Sequence, residues 1–256
     1  MRTHSQAVQD QFDPQAQAYL TSAVHAAGPD LQAARERAAR SLPAGAAVLD
    51  VGTGAGHLSF TLAPLARRVV ALDPSGGMLA TVRRTAVERG LAQIETCEAD
   101  AAALPFSAAS FDLVCTRYSA HHWFDVPRAL AEMRRVVKPG GLILVIDLLG
   151  ADQPLVDTHL QSIELLRDTS HVRDRSVAEW RALLLQAGFA DIEHDSWSTR
   201  LEFSSWVQRM RTPEALVTAI RMLQVGAAAE VQRALGIEPD GSFTPRTGLF
   251  WGNAVG

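Results

Sequence analysis

Cysteine is scarce. The 256 residues hold only Cys97 and Cys115, too few for a disulfide framework or a cysteine-built zinc site, and both stand in apolar runs that read as buried strands. A reducing cytoplasm is the expected compartment. Long hydrophobic runs are also missing. The most apolar stretch, Leu142 to Leu149, is too short to span a bilayer and contains Asp147, and the polar start MRTHSQAVQDQFDP lacks the apolar stretch of a secretory signal. No excess of positive charge is present either: 24 Lys plus Arg stand against 28 Asp plus Glu, a net charge of -4. That balance gives no reason to expect a nucleic acid or membrane insertion. With 18 Gly, 12 Pro, 47% hydrophobic and 20% charged residues, the composition excludes collagen-like and low-complexity chains. The length suits one large domain, or one domain with an appended subdomain.

Residues 1–42 read as helix and loop, broken at Pro14 and at Gly28-Pro29. From Ala46 the texture changes to alternating strands and helices. Strands are expected at Ala46–Val51, Arg68–Leu72, Gln93–Cys97, Phe111–Thr116 and Leu142–Leu148, with helices at Gly56–Ala66, Pro74–Arg89 and Val126–Val137. Apolar strand runs without period-2 alternation, spaced by helices, indicate a parallel sheet covered on both faces. Residues 43–150 therefore read as a doubly wound α/β sheet. Beyond Gly150 the pattern turns helical, at Gln153–Arg167, Ser176–Ala187 and Trp206–Leu235, with strands at Ala190–Trp197 and Thr247–Val255. No internal repeat or long linker divides the chain.

The segment Asp50-Val51-Gly52-Thr53-Gly54-Ala55-Gly56-His57 joins the first strand to its helix. Glycines there let the backbone bend sharply and let a ligand come close, although a tight turn without a ligand needs them too. A dinucleotide fingerprint wants a glycine where His57 stands, which argues against a nicotinamide-dependent oxidoreductase. Asp73 closes the second strand 21 residues after Gly52, where a carboxylate can accept from both hydroxyls of a ribose. Asp100 follows the third strand and can read the exocyclic amine of an adenine, or simply cap a short helix from Ala101 to Leu104.

Taken in order, VLDVGTGAGHLSF, VVALDPSGGML, CEADAAALPFSAASFDLVCTRYSAHHW and VVKPGGLILVID resemble the successive motifs of class I S-adenosylmethionine-dependent methyltransferases. The branch they are most similar to contains the ubiquinone and menaquinone biosynthesis C-methyltransferases, and the resemblance covers roughly residues 45–150. It implies a Rossmann-like α/β fold: a doubly wound seven-stranded sheet of order 3-2-1-4-5-7-6, last strand antiparallel, with a helical cap and lid. Residues 1–42 would be the cap, and 43–256 the methyltransferase domain with lid insertions near 151–175 and 203–240. The implied cofactor is S-adenosylmethionine, leaving as S-adenosylhomocysteine. Asp50, Gly52, Thr53, Gly54, Ala55 and Gly56 would line its methionine and ribose portion, with Asp73 on the ribose hydroxyls. Pro74 and Met78 would pack by the adenine, Ala99, Asp100 and Ala101 would read its edge, and Arg117 and Tyr118 would border the methionine. A looser resemblance outside the core places Tyr19 and His25 at cofactor or substrate, with helix packing as their alternative role.

Methyl transfer from a sulfonium is an in-line displacement, so alignment and exclusion of water are the chief requirements. An O- or C-nucleophile on a small, apolar or aromatic acceptor also needs a base, and histidine suits that task near neutrality. His121 and His122, after the fourth strand, are the candidates, with His171 on the lid; capping and packing are the other use for His121 and His122. No carboxylate spacing supports a metal site. Trp123, Phe124, Trp180, Trp197, Phe203 and Trp206 are candidates either for an acceptor pocket or for the core. Arg173 and Arg175 are candidates for a substrate anion or for a solvated face. A homodimer is left open, and a non-catalytic module that binds S-adenosylmethionine is the alternative to an enzyme.

Overall fold

A computed structural model describes residues 3–15, 19–20 and 28–256. Its sheet has the order β3-β2-β1-β4-β5-β7-β6. β1 (Ala47–Val51), β2 (Arg68–Asp73), β3 (Ile94–Glu98), β4 (Phe111–Arg117) and β5 (Val137–Leu149) run parallel. β7 (Arg246–Ala254) lies antiparallel between β5 and β6 (Phe189–Ser198). Strand order and direction are those the resemblance implied.

Burial explains the texture of the strands. All five positions of β1 are buried, because both faces of the central sheet carry helices. Edge strand β6 instead, after the buried Phe189, runs through half-buried and exposed positions. The same edge effect corrects the reading of Cys97: β3 is the other edge, so Cys97 is half-buried while Cys115 in β4 is fully buried, and both are free thiols.

The described helices are α1 (His4–Phe12), α2 (Pro29–Ser41), α3 (His57–Leu62), α4 (Gly76–Glu88), α5 (Val126–Val136), α6 (Pro154–Arg167), α7 (Val177–Gln186), α8 (Phe203–Arg209), α9 (Glu214–Val225) and α10 (Ala229–Leu235). α5 shows why such segments are helical. Asp125 caps it by accepting from the Arg128 N–H at 2.9 Å, and Val126, Ala129, Leu130, Met133 and Val136 form one buried stripe. The single helix expected over Trp206–Leu235 is three, because Pro213 starts a new one after Arg211 turns left-handed (φ 51°), and a further break follows at Gly226.

Two apolar layers sandwich the sheet. Leu49, Val70, Val114 and Ile143 face Leu130, Met133 and Trp180 of α5 and α7, while Val48, Val69, Leu113 and Leu144 face Leu31 and Leu58 of α2 and α3. A third apolar cluster joins Val156, Leu160 and Ile163 of α6 to Trp206, Ile220 and Val231. It forms a separate helical layer after β5, and α1 packs near the carboxyl ends of the strands.

Candidate active site

The glycine turn leaves β1 at Gly52 and enters α3 at His57, with Gly52, Gly54 and Gly56 at φ 69°, 53° and 90°. Each missing Cβ serves a different purpose. A Cβ on Gly52 would lie 1.9 Å from Ser119 Oγ, and one on Gly56 would lie 2.9 Å from Phe60 and 3.0 Å from Val82, so these two permit close packing. One on Gly54 would meet nothing within 4 Å among the described residues. Of the three glycines it is Gly54 that presents bare backbone to open space among those residues.

Two buried carboxylates brace this turn. Asp50 Oδ2 accepts from Thr53 Oγ1 at 2.8 Å and Ser59 Oγ at 2.7 Å. Burial raises its carboxyl, against the pull of these hydroxyls. Asp73, at the end of β2, accepts from the Gly54 N–H at 2.8 Å through Oδ2 and from the Ser75 N–H at 2.9 Å through Oδ1. Burial nevertheless pushes it up to about 6, with both backbone donors opposing.

Around Gly54 and Asp73 opens a cavity of about 500 Å³. Of the residues singled out from the sequence, Tyr19, Asp50, Gly52, Thr53, Gly54, Ala55, Asp73, Pro74, Met78, Asp100, Ala101, Arg117, Tyr118 and His122 line it. Gly56 and Ala99 do not: the first packs under α3 and the second against the α5 side of the core. His25 lies outside the described residues. Asp100 does not cap a helix; its Oδ1 accepts from the Ala102 N–H at 2.8 Å in a turn.

α1 covers one side of this cavity, with Phe12 among its lining residues. His4 Nε2 lies 2.8 Å from the His122 carbonyl, Gln9 donates to the Pro74 carbonyl at 2.8 Å, and Ser5 donates to Asp100 Oδ2 at 3.3 Å. Asp13 accepts from Ser75 Oγ and, at 3.3 Å, from the Gly77 N–H. On the opposite wall Arg117 donates to Asp30 Oδ2 at 2.5 Å, a buried pair tying α2 to β4. Tyr118 follows at φ 49° with its hydroxyl 3.1 Å from Thr247 Oγ1, and burial pushes that phenol up to about 12.

The adjacent histidines part company. His121 does not line the large cavity; its Nδ1 sits 2.5 Å from Asp147 Oδ1 and its backbone N–H donates to Asp147 Oδ2 at 3.1 Å. Burial disfavours the imidazolium, but the Asp147 charge and hydrogen bond outweigh it and take His121 up to about 9. His122 does face the cavity, its Nδ1 3.2 Å from the Ser170 carbonyl. Burial, and then the charge of His121, push it down to about 3. His171 bonds Gln161 Oε1 at 2.9 Å, and burial lowers it to about 2.

Behind the pair lie acids that no motif announced. Among the described residues Asp174, 1% exposed, has no hydrogen-bond partner on either oxygen, and Glu164 Oε1 and Asp168 Oδ2 also lack one. His121, Asp147 and Asp174 offer three potential ligand atoms within 4.8 Å of one another. Asp147, however, already accepts from His121 twice and from the Leu148 N–H at 2.9 Å, so its oxygens are committed to holding the ring. A lone acid inside the apolar run LILVIDLL was the available signal.

Among the aromatic candidates, Trp123 lines the cavity, Phe124 stands 82% exposed at its mouth, and Trp206 borders a smaller neighbouring cavity. Trp180 and Phe203 are core residues, and Trp197 packs against the α2 side of the sheet. Arg173 pairs with Asp157 and Glu179 at 3.2 and 3.1 Å, and Arg175 donates to the Arg173 carbonyl at 3.1 Å.

A glycine turn, a carboxylate at the end of β2 and a cavity at the strands' carboxyl ends mark a nucleoside-type site. Residues 49–145 match the family described as the methyltransferase domain. The Escherichia coli protein YafE is 45% identical over 193 residues, covering 75% of this chain and 93% of YafE. The uncharacterized methyltransferase YcgJ of Bacillus subtilis is 33% identical over 204 residues, covering 79% of each. The chain belongs to this methyltransferase family. The crystal structure of YcgJ superposes with a TM-score of 0.84 over 89% of the methyltransferase and 98% of YcgJ. Among the methyltransferase's described residues no helix is long and apolar enough to cross a membrane.

Proposed function

We propose that this methyltransferase transfers a methyl group from S-adenosylmethionine to an oxygen or carbon of a small molecule with an apolar or aromatic body, in the cytoplasm. The observation that carries the reading is the cavity at the carboxyl edge, where the open backbone at Gly54 and the carboxylate of Asp73 face the same space.

The residues fit the cofactor. Gly54 lets a ligand approach where any side chain would intrude, and each Asp73 oxygen, already accepting one backbone N–H, keeps a further lone pair for a ribose hydroxyl. Pro74 and Met78 offer an apolar wall for the adenine, with Asp100 and Ala101 at its edge. Thr53, Tyr118 and Arg117 border the methionine side, with Asp50 bracing the turn and Tyr19 closing from the N-terminal segment.

When bound, S-adenosylmethionine supplies a methyl group already activated on a sulfonium. The chain supplies alignment, exclusion of water and handling of a proton. His122 reaches the cavity in its neutral form, the one able to accept a hydrogen bond from an acceptor hydroxyl. His121 stays charged against Asp147 and acts on the site through its field. Residues 1–42 serve as a cap and residues 43–256 as the methyltransferase domain, with 151–175 and 203–240 as its lid.

Calorimetric titration with S-adenosylhomocysteine and, in parallel, NAD tests the reading. Micromolar binding of the first alone supports it. Binding of NAD alone, or of neither, overturns it, while binding without turnover on any phenol or quinol points to a non-catalytic module.

A further inference from the structure

The loop between α6 and α7 docks on the sheet through contacts that converge on Asp174. Its N–H donates to Gln161 Oε1 at 3.1 Å and its carbonyl accepts from Gln161 Nε2 at 2.8 Å, so one amide clamps the residue from both sides. A Cβ on Gly150, just past β5, would lie 2.6 Å from the Asp174 carbonyl oxygen, so the missing side chain lets the loop approach. The His121 carbonyl accepts from the N–H groups of Val172 and Arg173 at 2.8 and 3.1 Å. The carboxylate placed this way is 1% exposed, and neither oxygen has a hydrogen-bond partner among the described residues. The cations of this layer are engaged elsewhere: Arg173 pairs with Asp157 and Glu179, Arg167 lies 3.6 Å from Glu164, and Arg175 donates to the Arg173 carbonyl. A buried acid held in place without a partner is costly, and a positive charge beside it removes the cost.

We propose that His121, Asp147 and Asp174 bind one divalent transition-metal cation, zinc or manganese, which pins the loop between α6 and α7 to the carboxyl edge of the sheet. Their ligand atoms lie within 4.8 Å of one another although they come from three separate segments, which is why no spacing in the sequence shows them. Of the roughly four lone pairs of the Asp147 carboxylate, bonds to the His121 ring, the His121 N–H and the Leu148 N–H occupy three, which leaves one on Oδ2 for an ion. One imidazole with two carboxylates suits such a cation, whereas magnesium takes oxygen donors and keeps its waters. Without the ion, protons on His121 and Asp174 stand in for its charge. Binding therefore releases protons to solvent. Asp174 lines neither cavity, so the ion fixes the loop and keeps a positive charge beside His122, whose ring centre lies 4.1 Å from that of His121, without touching the acceptor.

The test is calorimetry on the untagged full chain, freed of metal with a chelator and titrated in turn with zinc, manganese and magnesium chlorides. One equivalent of zinc or manganese per chain is expected to bind about tenfold or more tightly than magnesium, with proton release read from the heats in buffers of different ionisation enthalpy. Asp174→Asn keeps the shape of the side chain and removes its charge, and should weaken that binding by about tenfold or more. X-ray absorption of the zinc-loaded wild type should show one imidazole nitrogen among oxygen ligands. No binding of either transition ion tighter than about 1 mM, magnesium as tight as both, affinity unchanged by Asp174→Asn, or more than one imidazole on the zinc overturns the proposal. Should Asp174→Asn fail to fold, the wild-type stoichiometry and the absorption spectrum decide.

Discussion

The turn beside Gly54 and the polar layer behind His121 are both buried and both rich in carboxylates, yet they are built on opposite plans. At the turn, Asp50 Oδ2 is held by residues three and nine positions away, with Oδ1 left without a partner among the described residues, and Asp73 by Ser75 and Gly54. Behind His121, Asp147 holds a ring 26 residues distant, and Asp174 and Glu164 keep oxygens with no partner among the described residues. The first plan makes a rigid ligand cradle from one stretch of chain. The second sets buried acids in a helical layer whose arrangement depends on the whole fold.

Substitutions can break this contrast, and the largest effect is expected at Gly52. Ala there combines a left-handed backbone with a Cβ 1.9 Å from Ser119 Oγ. Gly52→Ala should cost about 3 kcal/mol or more in urea unfolding, whereas Gly54→Ala, with open space around it, should cost about 1 kcal/mol. Equal costs would show that the turn is not packed as described.

Next comes Asp147→Asn, expected to destabilise by about 2 kcal/mol near neutral pH. Because His121 is raised from 6.5 to about 9 when folded, its contribution is complete below 6.5 and is lost as pH rises towards 9. Thermal unfolding against pH should show that slope in the wild type and not in the variant.

Asp73→Ala should weaken S-adenosylhomocysteine by at least about tenfold in calorimetry, the scale of a lost charge-assisted pair. Since the free carboxyl sits at about 6, wild-type affinity should fall as pH drops below that value, and the variant should lack the dependence. Unchanged affinity would remove Asp73 from the site.

The smallest effect sharpens the comparison from the other side. Burial, then the neighbouring Glu164, push the Asp174 carboxyl well above its ordinary range. A raised carboxyl gives stability that fades as pH rises above the unfolded value, so Asp174→Asn should stabilise by about 1 kcal/mol or less near pH 8 and do nothing near pH 4. A loss at both would mean that Asp174 is ionised and paired.

The same contrast governs what the sequence discloses. The doubly wound sheet of residues 43–150 and the placing of Gly54 and Asp73 at strand ends were legible from neighbours in sequence (apolar runs, glycine spacing, an acid at a strand end), whereas the strand order was legible only through the resemblance. Edge exposure of Cys97 and the splitting of Trp206–Leu235 were not, since neighbouring strands and Arg211's left turn decide them. His121 and His122 looked equivalent as neighbours. Only Asp147, from a distant segment, sends His121 up to about 9, while burial and then the charge of His121 itself send His122 down to about 3.

α1 contributes no buried residue of its own, and the described bonds joining it to the cavity rim are polar. Water can replace such bonds at little net cost, whereas peeling away an apolar helix would forfeit its burial at every cycle. The cover on that side of the cavity thus rests chiefly on bonds that water can replace, with Phe12 packed against Met78 and the His122 ring as its apolar contact.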